Sequence, residues 1–296
     1  MHSGTGVRFG KAMLAAGVLL WGAASGGAFA DGGAVDASVA DSQAFLDENQ
    51  YTLNGIQRYE YIFGEDFCSI GGLDTTRDLT AQLNLEPGDR VLDVGSGMGG
   101  SAFYMAREYG AIVEGVDLSR NMVTSARNKA EQRNLSVSFN ILDVTDADFP
   151  ANSFDVIYSR DVIMHIEDKA ALYKKLFKWL KPGGQLLVSD YCTGDGSWTD
   201  EFRDYVAARH YHLLTVEDYE TMLQNVGFTQ VRAENRTDIF EQSLTKELAR
   251  IQDNKGEFLS LFTSKDYEDL TQGWQIKLER NRNGLQHWGV FHAIKP

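Results

Sequence analysis

The sequence predicts an α/β fold in which a parallel sheet carries helices on both faces. Short apolar runs alternate with amphipathic stretches from residue 42 onward, a pattern typical of strands connected by helices. A glycine-rich segment follows the first of these apolar runs and precedes an amphipathic stretch, as at a strand-to-helix turn. The four prolines and the lack of a second linker favour a single domain.

The predicted elements follow one another in a regular order. Helical segments over Gln43–Phe63 and Leu73–Leu83 precede the first strand. The predicted strands are Arg90–Val94, Ile112–Asp117, Ser136–Asn140, Phe154–Ser159, Gln185–Ser189, Thr229–Ala233 and Trp288–Ile294. The predicted helices between them include Gly99–Tyr109, Ser119–Asn134, Lys169–Leu180 and Val216–Gly227. Helical insertions over 191–215 and 235–286 lie beyond strand ends, where open α/β sheets bind ligands.

The composition excludes several classes of protein. The 296 residues carry 28 lysines and arginines against 42 acidic residues, a net charge of −14. The first thirty residues contribute only Arg8 and Lys11, so residues 31–296 carry −14 − 2 = −16. Such an acidic surface repels nucleic acid, and 43% hydrophobic residues are typical of a folded protein. Cys68 and Cys192 cannot form a disulfide scaffold, so we expect free thiols.

The glycine-rich loop carries the first functional signal. Gly95, Gly97 and Gly100 satisfy the pattern G-x-G-x-x-G, which by itself suits a dinucleotide cofactor. Asp117 ends the next strand 22 residues after Gly95, where a carboxylate can hold a ribose diol. Asp93 lies two residues before the first glycine, where a carboxylate suits a cationic amino-acid group and crowds a pyrophosphate. This position favours a cofactor other than nicotinamide.

The wider set of motifs resembles the class I S-adenosylmethionine (SAM)-dependent methyltransferases. The resemblance runs from about residue 85 to 188 and includes Asp143 after the third strand and the loop 180–184 before the fifth. It implies SAM as the cofactor. It also implies a Rossmann-like, mostly parallel seven-stranded sheet with an antiparallel last strand and a helical substrate lid. The residues expected to bind SAM are Asp93, Gly95, Ser96, Gly97, Asp117, Leu118, Asp143, Val144, Ser159 and Arg160.

A narrower resemblance is to the phosphoethanolamine N-methyltransferases, in the single-domain form known from the malaria parasite. It is carried by Gln50-Tyr51-Thr52, by Tyr158-Ser159-Arg160-Asp161 with His165, and by Gly273-Trp274 with Lys277. It covers nearly everything from about residue 45 to the end. It implies N-methylation of phosphoethanolamine, stepwise through the mono- and dimethyl forms to phosphocholine. The residues expected to bind this substrate are Gln50, Tyr59, Ser69, Tyr191, Tyr205, Arg209, Tyr211 and Lys277.

The chemistry of such a substrate fits these residue types. On an acidic protein a phosphate dianion needs local donors, and Arg209 and Lys277 can supply positive charge. Arginine also offers a planar fork that suits phosphate. Tyr205 stands four residues before Arg209, on the same face of a helix. Aromatic faces can accommodate the quaternary ammonium of the product.

The substrate amine must lose a proton before it attacks a methyl group. With a lysine-like pKa of about 10.4, neutralisation at pH 7 costs roughly 4.6 kcal/mol. His165 has the ordinary pKa of a general base, whereas Asp161 can hold the ammonium without making it nucleophilic. The resemblance pairs His165 with Tyr51 as a dyad that closes the site, so Tyr51, His165 and Asp161 are the expected catalytic residues. The other histidines show no metal-ligand spacing, and we expect no metal.

Three other interpretations stay open from the sequence. The acceptor can be another small molecule, such as a sterol or an amino acid; the chain can bind SAM without catalysis; or it can be a nicotinamide oxidoreductase. Cys68 departs from the aliphatic residue that the family more often has before Ser69, and we favour a small hydrophobic role for it. The small-molecule substrate is the expected partner, and a monomer without stable membrane insertion is the expected state.

The first thirty residues have the order of a secretory signal peptide. Arg8 and Lys11 precede an uncharged run over 12–24, and Ala28-Phe29-Ala30 forms a small-x-small cleavage site. The run is shorter than the roughly 20 residues of a membrane span. Residues 31–41 are predicted to be a linker and 42–296 the methyltransferase domain. Because SAM is made in the cytosol, a membrane tether, an organelle lumen and a misassigned start stay open beside export.

Overall fold

The computed structural model describes residues 43–44 and 46–296, except for the side chain of Gln50. The predicted signal peptide and linker, over residues 1–41, lie outside the described residues. Among the helices of the described part, none is both long enough and apolar enough to cross a membrane.

Seven strands form one sheet within residues 46–296. They are β1 (Arg90–Val94), β2 (Ile112–Asp117), β3 (Val137–Ile141), β4 (Phe154–Arg160), β5 (Leu180–Thr193), β6 (Thr229–Asn235) and β7 (Gln286–Ile294). Their order is β3-β2-β1-β4-β5-β7-β6. Strand β7 is antiparallel to both β5 and β6, and the other pairs are parallel. The predicted mostly parallel sheet with an antiparallel last strand is confirmed.

Ten α-helices accompany the sheet in the same residues. They are α1 (Leu53–Phe63), α2 (Gly72–Thr80), α3 (Gly100–Tyr109), α4 (Arg120–Arg133), α5 (Lys169–Trp179), α6 (Asp200–Ala208), α7 (Val216–Val226), α8 (Thr237–Asp253), α9 (Lys255–Leu261) and α10 (Ser264–Arg282). A π-helical turn, Leu46–Gln50, precedes α1, and a 3₁₀ turn, Ile163–His165, follows β4. Helix α4 begins where predicted because Ser119 Oγ accepts from the Met122 amide at 3.2 Å.

The sheet buries both of its faces, as apolar strands require. On one face Val91 and Val113 belong to a core shared with α3 and α4. On the other face Leu92 and Val116 pack in a core with α5 and α7. Apolar residues of α1, α8 and α10 extend the first core around Tyr191 of β5. Helices therefore cover one end of the sheet as well as its faces.

Strand β5 is longer than the predicted Gln185–Ser189. At its start Leu180 pairs with Phe154 of β4 across a register shift, and at its end Tyr191 pairs with Trp288 of β7. Residues 191–193 are therefore strand and not part of a helical insertion. Because side chains alternate along a strand, Asp190 and Tyr191 point to opposite faces of the sheet.

Candidate active site

The glycine loop turns sharply between β1 and α3. Gly95 and Gly97 have φ values of 74° and 53°, and the Gly95 amide donates to the Val116 carbonyl at 2.8 Å. A Cβ atom on Gly95 would lie 2.2 Å from a methyl carbon of Val162, so no side chain fits there. The loop therefore keeps bare backbone at the edge of the sheet.

A cleft opens beside this loop at the edge of the sheet. Its walls include six predicted SAM-binding residues: Gly95, Gly97, Asp117, Leu118, Val144 and Arg160. An adjoining cavity shares Gly95 and Arg160 and adds Asp93 and Ser96. Asp143 and Ser159 do not line either cavity. Their side chains bond within the protein, Asp143 to the Thr145 amide at 2.8 Å and Ser159 to the Val94 carbonyl at 2.9 Å.

Asp93 presents an unpaired carboxylate oxygen to the adjoining cavity. Its side chain is buried, and neither its Oδ2 nor the Ser96 Oγ has a hydrogen-bond partner among the described residues. Burial, and then the nearby Asp117 carboxylate, raise the pKa of Asp93 to about 7 against the opposing charge of Arg160. A carboxyl in this environment is stabilised by a cationic ligand.

Asp117 holds the glycine loop and the start of α4 together. Its Oδ2 accepts from the Gly97 amide and its Oδ1 from the Ser119 amide, both at 2.9 Å. Burial raises the pKa of Asp117, and these amides oppose the rise. Each carboxylate oxygen has a second lone pair, so Asp117 can also accept from a ligand hydroxyl.

Arg160 connects the cleft to the segment before α2. Its Nη1 donates to the Gly72 carbonyl and to the Thr76 hydroxyl, both at 2.9 Å. Its Nη2 donates to the Ile70 carbonyl at 2.5 Å. The guanidinium thus forms part of the cleft wall while it fixes the backbone that follows Ser69.

The N-terminal segment closes one side of the cleft. Tyr51 lies in the cleft wall, and its carbonyl accepts from Asn121 Nδ2 at 2.8 Å. The Asp47 carboxylate caps α4, accepting from the Ser119 hydroxyl at 2.6 Å and from the Arg120 amide at 3.2 Å. Asp47 was not predicted, because a cap supplied from more than seventy residues upstream leaves no local sequence pattern.

Ser69 and Cys68 also lie in the wall of this cleft, and Tyr59 stands behind Tyr51. The rings of Tyr59 and Tyr51 are 6.3 Å apart. Cys68 Sγ would lie 3.1 Å from a Cβ on Gly97, and burial raises the pKa of the thiol to about 12. The side chain of Gln50 lies outside the part that the structure describes.

Lys277 of α10 lies in a second, aromatic pocket. Its Nζ donates to the Tyr191 hydroxyl at 3.1 Å and lies 5.1 Å from the centre of that ring. The Phe240 and Trp274 rings lie at 5.9 and 6.0 Å. Burial, and then the charge of Arg209, lower the pKa of Lys277 to about 8. Because nearby positive charges contribute to this lowering, an anion bound in the pocket would raise the pKa of Lys277 again.

Two buried arginines lie over the Tyr205 ring in the same region. The guanidinium carbon of Arg209 is 5.9 Å from the ring centre and that of Arg280 is 3.6 Å from it. Arg280 also pairs with Glu201. Arg280 was not predicted, because a charged residue near the end of a long polar helix has the pattern of a solvated face.

Three predicted tyrosines meet in this pocket. Tyr211 contacts Tyr191 and Tyr205 edge-on, with ring centroids 6.1 and 5.6 Å apart. Burial, and then the neighbouring Tyr205, raise the pKa of the Tyr211 hydroxyl well above its ordinary value. No group of metal-ligating side chains is found in the part of the chain that the structure describes. The pocket therefore offers aromatic faces and hydroxyl groups to a ligand.

Asp161 stands between the fourth strand and this pocket in an uncommon backbone conformation, with φ of 56°. Its Oδ1 accepts from the Ser189 hydroxyl at 2.9 Å and from Trp288 Nε1 at 2.8 Å. The negative charge of Asp161 raises the pKa of Lys277, against the lowering by burial and by Arg209. Trp288 was not predicted as a site residue, because it reaches Asp161 from β7, 127 residues further along the chain.

His165 ends the 3₁₀ turn and packs against Tyr211, with ring centroids 4.9 Å apart. The expected pairing of His165 with Tyr51 stays a prediction. Burial, and then the charges of Arg209 and Lys169, lower the pKa of His165 well below its ordinary value. The imidazole is therefore neutral at pH 7.

Comparisons with known proteins agree with this geometry. A family model described as a methyltransferase domain matches residues 85–256. A phosphoethanolamine N-methyltransferase of Triticum aestivum is 50% identical over 255 residues, which cover 86% of this chain and 50% of that protein. The phosphoethanolamine N-methyltransferase of Plasmodium falciparum is 41% identical over 256 residues, which cover 86% of this chain and 96% of that protein.

A solved structure shows the same architecture. Phosphoethanolamine N-methyltransferase 2 of Haemonchus contortus, in complex with phosphomonomethylethanolamine and S-adenosylhomocysteine, matches with a TM-score of 0.83 and 37% identity over 86% of this chain and 60% of that one. The chain spans about half the length of the plant relatives that it matches. It matches the Plasmodium protein over nearly its whole length. The chain belongs to the phosphoethanolamine N-methyltransferase family and has the class I methyltransferase fold.

Proposed function

We propose that this chain transfers methyl groups from SAM to the amine of phosphoethanolamine, stepwise through the mono- and dimethyl forms to phosphocholine. The observation that carries the proposal is the aromatic pocket, where Lys277 and Arg209 lie buried near the Asp161 carboxylate. Charges of both signs in one small pocket suit a zwitterion with a phosphate and an amine. Relatives named for this activity support the substrate class.

The residues of the cleft fit SAM. The unpaired oxygens of Asp93 and Ser96 offer acceptors to an amino group, and the bare backbone at Gly95 and Gly97 admits close approach of a ligand. Asp117 would accept from ribose hydroxyls through its remaining lone pairs. SAM supplies an electrophilic methyl group on a sulfonium centre. The residues proposed to enclose the adenine or to support the cleft are Leu118, Asp143, Val144, Ser159 and Arg160.

The phosphate is proposed to bind Arg209 and Lys277. Lys277 is already hydrogen-bonded to the Tyr191 hydroxyl, and the buried Tyr211 side chain packs against Tyr191 and adds a hydroxyl to the pocket. Arg280 adds a third positive charge beyond the Tyr205 ring. The other residues proposed to contact the substrate are Gln50, Tyr59, Ser69 and Tyr205.

The amine is proposed to lie between Asp161 and His165. Because Asp161 Oδ1 already accepts two hydrogen bonds, its Oδ2 is the atom that would hold the ammonium. His165 is neutral and can take the proton. A phosphate dianion beside Arg209 would offset the charge that lowers the pKa of His165, so the bound substrate would strengthen its own base. Tyr51 would complete the closed site from the cleft wall.

The proposal is tested by product analysis on the full chain. The protein is incubated with SAM and, separately, with phosphoethanolamine and its mono- and dimethyl forms, and the products are separated by mass spectrometry. We expect methylation of all three phosphobases. Ethanolamine and glycine serve as controls that lack the phosphate, and we expect neither to be methylated. SAM binding without any methylated phosphobase would contradict the proposal.

We further propose that residues 1–30 are a cleaved leader and that the folded chain is a monomer. The order of basic, apolar and small residues supports the first statement. N-terminal sequencing of the native protein tests it, with Asp31 as the expected first residue. Light scattering after gel filtration tests the second, with a mass near that of one chain as the expected result.

A further inference from the structure

The backbone of the turn that carries His165 is fixed by two buried charged side chains. Lys169 Nζ donates to the Ile163 carbonyl at 2.5 Å and to the Ile166 carbonyl at 2.9 Å. Asp190 Oδ1 accepts from the Met164 amide at 2.9 Å. These contacts hold peptide groups on both sides of His165. None of them is needed to form the 3₁₀ turn itself.

Asp190 is in turn held by a buried pair of tyrosines. The Tyr219 hydroxyl of α7 donates to Asp190 Oδ2 at 3.2 Å and lies 2.5 Å from the Tyr173 hydroxyl of α5. Asp190 is 0% exposed and Lys169 is 4% exposed. Neither residue lines the cleft beside the glycine loop or the cavity that adjoins it. Two charged groups are thus buried behind the active site without facing a ligand.

We propose that Lys169 and Asp190 are positioning residues, which fix the His165 imidazole in the place where it takes the proton of the substrate amine. This inference rests on the proposed function. Burying a charged side chain costs free energy unless the charge is paired and hydrogen-bonded. Apolar residues at positions 169 and 190 would avoid this cost. The contacts to the turn give the two charges a role that packing alone does not.

The charge of Lys169 has a second consequence for His165. The charges that face His165 are those of Arg209, Lys169 and His212, and all three lower its pKa; the Tyr211 ring packs against it as well. The charged or titratable groups near Asp190 are Lys169, Asp161, Tyr219, Tyr173 and Cys192. Removing Lys169 should therefore loosen the turn and also move the titration of His165 to higher pH. The shift of the titration reports the loss of the Lys169 charge, and the loss of kcat reports the loosened turn.

The experiment compares three variants of the full chain. Lys169→Met removes both hydrogen bonds and the charge at similar side-chain length. Asp190→Asn keeps an acceptor for the Met164 amide and a partner for Tyr219, and so serves as the conservative rescue. Lys181→Met is the control for the loss of a lysine charge and of two hydrogen bonds. Lys181 lies at the start of β5, and its Nζ donates to both carboxylate oxygens of Asp155.

We expect Lys169→Met to lower kcat about 10- to 100-fold, as small misplacements of a catalytic group do, with KM for phosphoethanolamine within about threefold of wild type. Asp190→Asn and Lys181→Met should keep kcat within about threefold. The imidazole titration of His165, followed by NMR without substrate, should shift to higher pH in Lys169→Met. Wild-type turnover by Lys169→Met would overturn the proposal whatever the titration shows, as would an equal loss in Lys169→Met and Asp190→Asn.

SAM binding by calorimetry shows whether each variant is folded. If Lys169→Met does not fold, Asp190→Ser, which shortens the acceptor, should lower kcat to a similar extent, and wild-type turnover by Asp190→Ser would overturn the proposal. If the wild-type protein does not methylate phosphoethanolamine, the proposed function fails by itself. In that case the His165 titration, which requires no substrate, still tests whether Lys169 acts on the imidazole, and an unshifted titration would overturn that part of the proposal.

Discussion

The cofactor cleft and the aromatic pocket are built in opposite ways. The cleft is formed mainly by successive loops of the sheet between Asp93 and Arg160, and the buried Asp93 carboxylate has an oxygen without a partner among the described residues. The pocket is assembled from β5, the end of α6 and α10, and there the buried cations Arg209 and Lys277 lie among aromatic rings, with Asp161 as the buried carboxylate. The cleft, which is the cofactor half of the site, suits a cationic cofactor. The aromatic pocket, which is the substrate half, suits a substrate with a phosphate. The difference in charge separates the two ligands within one site.

The same comparison explains how an acidic protein can bind a phosphate. Residues 31–296 carry a net charge of −16, so the long-range field opposes an anionic substrate. Lys277 and Arg209 are buried, where charges are screened less by solvent and salt than at the surface. Affinity must therefore come from short-range contacts in the pocket. Binding should be nearly independent of surface charge.

The largest expected effect lies at the boundary of the two halves. His165→Gln should lower kcat by about 10² to 10⁴, because it removes the proposed general base. KM for phosphoethanolamine should stay within about threefold, since neither set of binding groups is changed. Steady-state kinetics at pH 7.5 measures both. His212→Gln is the matched control and should behave as wild type; full turnover by His165→Gln would show that another group takes the proton.

In the cofactor half, Asp93→Asn should weaken SAM binding about 100-fold, because a hydrogen-bonded charge on a buried group is lost. Phosphocholine binding should not change. The pKa of Asp93 is raised to about 7 in the folded protein, so above this pH its negative charge lowers the free energy of unfolding. Asp93→Asn removes this charge. Without ligand at pH 8, the variant should therefore melt at the same temperature as the wild-type protein or at a higher one. Calorimetry measures both affinities, and thermal unfolding measures the stability. If Asp93→Asn weakened SAM binding and phosphocholine binding equally, the division of the site into two halves would be wrong.

The cofactor half could be predicted from the sequence because its geometry is local. A strand, a glycine loop and Asp117 at a fixed distance place these groups together whatever the rest of the chain does. The aromatic pocket could not be predicted in this way, because Asp161, Tyr191 and Lys277 meet only through the tertiary fold. Its members came from a family resemblance. Groups outside the family motifs, such as Arg280 and Trp288, were therefore missed.

In the substrate half, the test is the pH dependence of phosphocholine binding, since this ligand has no proton on its nitrogen. Lys277 loses its charge as the pH rises through about 8, so Kd should increase between pH 7 and pH 9. Lys277→Met should raise Kd at pH 7 by about tenfold or more and abolish this dependence. Lys277→Arg, which stays charged, should show a weaker dependence than wild type. A pH-independent wild-type Kd would place the phosphate away from Lys277.

The smallest effect is expected at Cys68, which lies in the wall of the cleft. The pKa of the thiol is raised to about 12 by burial, so at pH 8 almost none of it is thiolate, the reactive form. Cys68→Ala should change KM for SAM by less than about threefold, and iodoacetamide should inactivate the wild-type protein slowly, with or without SAM. Rapid inactivation that SAM prevents and Cys68→Ala abolishes would instead make this cysteine a ligand-contacting group of the cleft.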